Sequence, residues 1–293
     1  MVSFVIIRFG ALLGVASLLV STFPLVSPQP IVNIPSGPNG VSLQKCWTKD
    51  WTFENDDYLQ DFDTDCANNI KIADGIMSWE VTEDCFSPSL IYKHDDILYG
   101  QASIDIKMAR GSGIVTAFIR GMGGKDEIDV EWVGKDLDHV QFMYYVNGSV
   151  VNSKFGTTHF EPPAPHKPLN EEFFTYTIDY APNRTQWYVG DNLGATLERT
   201  ATNKYPSQAR EWRMNLWNGG AIVPAWAGKT DWSKGPFVAF VRRLSFTSYC
   251  EEGPQASGLP RHPRTATSDS ALVKAELNQD PPQSQEQSVV RLL

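Results

Sequence analysis

From Glu127 to Trp132 the chain alternates an acid with a large apolar residue at every step: Glu127-Ile128-Asp129-Val130-Glu131-Trp132. Only an extended strand turns a period of two into two chemically distinct faces. Glu127, Asp129 and Glu131 then project to one side, and Ile128, Val130 and Trp132 to the other. A helix would spread both sets around its axis. The segment therefore reads as a strand with a core on its apolar side and three carboxylates on the opposite face.

That face suits chemistry on sugars. Two acids flanking a glycosidic bond can serve as nucleophile and as general acid/base, and retaining enzymes hold them about 5–5.5 Å apart. The Cα atoms of residues 127 and 131 are about 13 Å apart in an extended strand, a gap two inward-leaning Glu side chains can narrow. Asp129 lies between them, where it can hydrogen-bond a neighbour. Like charges so close cannot all ionise, which is how such sites keep one acid protonated near neutral pH. The competing reading is the solvated face of an outer strand, the commoner fate of alternating acids. Spacing alone leaves both open.

Strand signals recur from about Leu43 to Tyr249. Ala102, Ile104, Ile106 and Met108 alternate with Ser103, Asp105 and Lys107. Phe174–Tyr180 alternates likewise, runs into Ala181-Pro182-Asn183-Arg184 and resumes at Thr185–Val189, a hairpin pattern. No long stretch shows a 3.6-residue apolar period. Many short strands broken by Gly and Pro predict an all-β sandwich. Gly121–Gly124 reads as the tight turn feeding the acidic strand. We place a signal peptide at 1–23, because Arg8 precedes a short apolar run that Pro24 ends. A Pro/Gly/Ser/Asn-rich linker follows at 24–42, one folded domain at 43–252, and a polar disordered tail at 253–293. The end, Ser288–Leu293, lacks the hydrophobic stretch of a lipid-anchor signal. A secreted, extracellular or wall-associated protein is expected, with no membrane attachment after signal cleavage.

Four cysteines (Cys46, Cys66, Cys85, Cys250) fit an oxidising compartment. They permit two disulfides in three pairings; a bond from Cys250 back to an N-terminal Cys would tie the domain's ends together. They lack C-x-x-C spacing, and the five His form no ligand pattern, so neither metal nor cofactor is expected. Asn147-Gly-Ser149 and Asn183-Arg-Thr185 are N-glycosylation sequons in apparent turns. A net charge of −9 argues against nucleic acid or an anionic membrane as partner. Nine Trp exceed ordinary packing needs and fit sugar rings stacking on indole, although most should be core, Trp132 among them.

Glu127-Ile-Asp129-Val-Glu131 resembles the E-x-D-x-E signature of glycoside hydrolase family 16, in its form without an extra bulge residue. Flanking blocks extend the resemblance over most of residues 90–250. Tyr99-Gly100-Gln101-Ala102 and Gly111–Phe118 resemble the approach to the catalytic strand. Trp217-Asn-Gly-Gly220, Trp226-Ala-Gly228 and Thr230–Phe237 resemble the run after it. More specifically, the pattern resembles that of fungal Crh-type cell-wall transglycosylases, which join chitin to β-glucan. This implies a β-jelly-roll sandwich of the concanavalin A-like lectin/glucanase type with a concave sugar-binding sheet. It also implies Glu127 as nucleophile, Asp129 as auxiliary and Glu131 as acid/base, and a polysaccharide substrate of chitin or β-glucan. Gln141, Tyr144, Trp217, Trp226 and Trp232 are the implied sugar-binding residues.

One departure bears on the substrate. The family's Gln-Thr-Asn-Tyr stretch reads here as Gln141-Phe142-Met143-Tyr144, so two hydrogen-bonding side chains have become apolar. A site that pairs hydroxyls discriminates strongly when a partner is lost. The expectation is a monomeric, retaining glycosidase or transglycosylase in cell-wall remodelling. The alternatives are an endo-β-1,3(4)-glucanase, or a non-catalytic carbohydrate-binding protein on the same fold; the presence of all three acids weighs against the latter.

Overall fold

A computed structural model describes residues 43–121, 126–150 and 158–251. The expected signal peptide (1–23), linker (24–42) and tail (253–293) lie outside these residues, as do Met122–Lys125 of the Gly-rich turn. Sixteen strands account for most of the described chain. In chain order they are β1 (Leu43–Trp51), β2 (Phe62–Asp65), β3 (Ile70–Ala73), β4 (Ile76–Val81), β5 (Ser89–Tyr92), β6 (Tyr99–Lys107), β7 (Ile114–Arg120) and β8 (Glu127–Val133). There follow β9 (Val140–Val146), β10 (Ser149–Val150), β11 (Thr158–Phe160), β12 (Phe174–Tyr180), β13 (Arg184–Val189), β14 (Asn192–Glu198), β15 (Trp212–Asn218) and β16 (Phe237–Glu251). Among the described residues the one α-helix is a single turn, α1 (Pro224–Ala227).

The strands form two antiparallel eight-stranded sheets, the β-jelly-roll sandwich expected from the sequence. One runs β14-β13-β12-β6-β16-β4-β3, with β1 joined to β16; the other runs β10-β9-β8-β7-β15-β5-β2, with β11 joined to β9. The predicted hairpin is present, Tyr180 pairing with Thr185 across the β12–β13 turn. Alternation explains the core. Ile104 and Ile106 of β6, Tyr176 and Ile178 of β12, and Trp187 of β13 face Phe118, Ile128, Val130, Trp132 and Met214 of the second sheet. Trp132 meets Tyr176 edge-to-face at 4.5 Å, and the Trp187 indole donates to the Asp129 carbonyl at 3.0 Å. The apolar side of β8 is thus clamped from the opposite sheet.

Two features set where β8 begins. Gly121 closes β7 at φ +89, and a Cβ there would lie 2.2 Å from the Asp126 carbonyl oxygen, so only glycine fits. The Asp126 carboxylate accepts from the backbone N–H of Asn147 at 3.0 Å and of Gln208 at 2.7 Å. It ties two other segments to the residue before Glu127. Asn147 and Gly148, both at positive φ, make the tight Asn-Gly turn from β9 to β10.

The disulfides are Cys46–Cys250 and Cys66–Cys85. The first joins paired strands β1 and β16, and so the two ends of the described domain.

Candidate active site

β8 is an interior strand in regular antiparallel register with both neighbours. Glu131 stands opposite Ala117 on β7 and Gln141 on β9; Asp129 stands opposite Ile119 and Met143; Glu127 stands opposite Tyr145. With no bulge in the register, all three acids share the face turned away from the inter-sheet core, while Ile128, Val130 and Trp132 enter that core.

The solvated-face reading fails on burial. Glu127, Asp129 and Glu131 are 8%, 1% and 6% exposed. Their face carries its own apolar floor of Val115, Ala117 and Ile119 on β7 and Trp217 on β15, roofed in part by Val223 and Ala227 at α1. Burial of acids against such a floor penalises their charged forms. It lifts the Glu131 carboxyl from the ordinary 4.5 to about 7. Asp129 is pushed well above the usual carboxylate range by burial, and then by the Glu127 and Glu131 charges. Burial and the same three carboxylates push the Tyr145 phenol up, so it stays protonated and can donate.

Of the residues expected to hold sugar, two meet beside the acids. The Trp226 indole of α1 donates to Gln141 Oε1 at 3.0 Å. An indole N–H can only donate, so Gln141 must turn its oxygen to Trp226, and its NH₂ remains to donate elsewhere beside Glu131. Trp226 is partly exposed and packs on Trp217, ring centroids 6.1 Å apart.

The other three are placed differently. Tyr144 pairs with Ile128 and lies in the inter-sheet core, on the side away from the acids. Residues 141 and 144 are an odd number of positions apart, so on one regular strand they cannot share a face. Phe142 also belongs to that core, stacked on Trp187 at 6.0 Å. Of the two departures noted in the sequence, only Met143 therefore faces the acids. Trp217 has the right face but is 1% exposed and forms the floor, with no open ring for a sugar. Trp232 packs on Phe237 at 5.9 Å, at the margin of the inter-sheet core. Tyr145, opposite Glu127, was not among the expected site residues, although counting by twos from Gln141 finds it.

Buried carboxylates of divided protonation on one strand face are the equipment of glycosidic bond cleavage. The sequence profile described as glycosyl hydrolases family 16 matches residues 56–234. The chain belongs to this family. Within family 16 it is 30% identical over 190 residues to Congo red hypersensitive protein 1 of Saccharomyces cerevisiae, covering 62% of this chain and 36% of that protein. It is 33% identical over 191 residues to a β-glucanase of Paenibacillus macerans, covering 62% of this chain and 75% of that enzyme. The chain thus spans little more than a third of the yeast relative's length. Among solved structures, a Crh5 transglycosylase in complex with NAG superposes with a TM-score of 0.59 at 22% identity, over 69% of this chain and 83% of that one. At that identity the likeness speaks for the fold.

Proposed function

We propose that this protein is a retaining family 16 enzyme that cuts β-linked cell-wall polysaccharide, chitin or β-glucan, and passes the cut end to a sugar acceptor. Glu127 attacks the anomeric carbon while Glu131 protonates the leaving oxygen. A glycosyl-enzyme forms on Glu127. Glu131, now ionised, takes the proton from the incoming acceptor hydroxyl, and Glu127 is released. Asp129 orients and tunes the pair. The observation that carries this reading is Glu131, buried beside two further carboxylates and poised at about 7, where one group can give a proton in the first step and take one in the second. Likeness of the motif blocks to the Crh-type pattern favours transfer over hydrolysis.

By the same reading the protein is secreted and works as a monomer at the cell wall. Signal peptide, linker, catalytic domain and tail divide at 23, 42 and 252. Asn147 and Asn183, both exposed, carry glycans. A second reading, an endo-β-1,3(4)-glucanase, draws on the P. macerans enzyme, of which this chain covers far more than of the yeast protein.

The test supplies secreted protein with fluorescent chitin and β-glucan oligosaccharides as acceptors and the unlabelled polymers as donors, beside Glu127→Gln. Label entering polymer only with the native protein establishes transfer and names both sugars. New reducing ends without transfer make the enzyme a hydrolase. Neither signal, with polysaccharide still bound, rejects the catalytic reading.

A further inference from the structure

Asp129 is the most deeply buried of the three acids, and neither of its oxygens meets an N–H or O–H donor of the protein. Buried carboxylates ordinarily collect such donors. Its cross-strand neighbours are Ile119 and Met143, and neither side chain can donate. The titratable groups around it are Glu127 and Glu131 on its own strand and Tyr145 on β9. β7 contributes only the apolar Val115, Ala117 and Ile119 to this face. Arg213 stands one strand further, opposite Ile119, and is engaged by Glu211 at 3.2 Å and Asp65 at 3.4 Å. What Asp129 does meet is the Glu127 carboxyl, and a hydrogen bond between two carboxyls requires a proton on one of them.

We propose that Met143 is a positioning residue: by presenting a thioether where a donor would stand, it leaves Asp129 holding a proton whose hydrogen bond goes to Glu127. A neutral Asp129 adds no like charge between the two glutamates, and its O–H steadies the carboxylate that must attack. The upward push that burial and both neighbours exert on Asp129 agrees with this. Asparagine at 143 would supply N–H donors across the ladder and favour ionised Asp129. That charge would raise both flanking glutamates.

Met143 is partly exposed and belongs to neither apolar cluster, so polar substitution spares the packing. The decisive measurement is the infrared carbonyl stretch of a protonated carboxyl, recorded near neutral pH in the Glu131→Gln background to remove that group's own absorption. The band should be present with native Met143, vanish with Asp129→Asn, vanish with Met143→Asn and persist with Met143→Leu. In the otherwise native enzyme, the kcat/KM profile of Met143→Asn should move to higher pH by about one unit, while that of Met143→Leu stays in place. The kinetic arm rests on the proposed function; the infrared arm does not. A band that survives Met143→Asn, or that is missing with Met143 in place, overturns the proposal whether or not the protein turns over polysaccharide.

Discussion

Trp226 donates its indole N–H to Gln141 Oε1 at 3.0 Å, and Gln141 is the cross-strand partner of Glu131. A one-turn helix on the connection after β15 thereby fixes which end of an amide stands beside the candidate acid/base. Trp226→Phe keeps the ring and removes one neutral hydrogen bond, a net loss of about 0.5–1.5 kcal/mol. kcat/KM should fall about two- to tenfold, and Gln141→Leu should fall at least as far. A Trp226→Phe enzyme with native kcat/KM would show that this contact does not serve the reaction.

Glu131 must be protonated for the leaving oxygen to depart. With its carboxyl lifted to about 7, kcat/KM should decline above that pH with the slope of a single titration. Glu131→Gln should lower kcat/KM by about 10²–10⁴-fold and abolish the alkaline limb. Rates over a pH series with native and variant enzyme check both outcomes.

The same shift predicts a stability effect of opposite sign. An unfolded Glu131 ionises around 4.5 and the folded one around 7, so across this window the native state binds more protons than the unfolded state. Native stability therefore falls as pH rises from about 4.5 to about 7, by up to about 3 kcal/mol. Glu131→Gln removes the penalty. In thermal melts the variant should gain several degrees over the native protein at about pH 8 and nothing at about pH 4.

The two disulfides should differ in worth. Cys46–Cys250 spans 204 residues and Cys66–Cys85 spans 19. Loop-closure entropy assigns about 5 kcal/mol to the first and about 3 kcal/mol to the second. Thermal denaturation of the Cys46→Ser/Cys250→Ser and Cys66→Ser/Cys85→Ser proteins should rank them in that order, the first pair losing more.

Asp126 should prove structural. Its carboxylate satisfies two backbone N–H groups, of Asn147 and Gln208, and is itself buried. Asp126→Ala should cost about 2–4 kcal/mol by orphaning both donors. Asp126→Asn, which keeps one accepting oxygen, should cost less. Denaturant melts of the two variants test that order.

The strand over 127–133, the common face of its acids, the core position of Trp132 and the hairpin at Asn183 depend on local periodicity, and the structure has them. Tyr144 and Phe142 went astray because motif likeness aligns residue types, whereas strand parity decides the side on which each residue stands. Trp217 obeys parity yet holds no open ring, since Val223 and Ala227 come from a connection whose path no local pattern encodes.

By itself, the sequence determined the alternation that makes β8 two-faced, the glycine that lets β7 end beside it, and the three carboxylates in a row. These depend on φ, ψ and a period of two, which neighbouring residues set among themselves. Only the tertiary structure decided that those carboxylates are buried rather than solvated, that the register sets Met143 opposite Asp129, and that Cys46 meets Cys250. Each depends on which distant strand lies alongside. Desolvation, the force that lifts Glu131 to about 7, exists only once β7, β9 and β15 have assembled around β8.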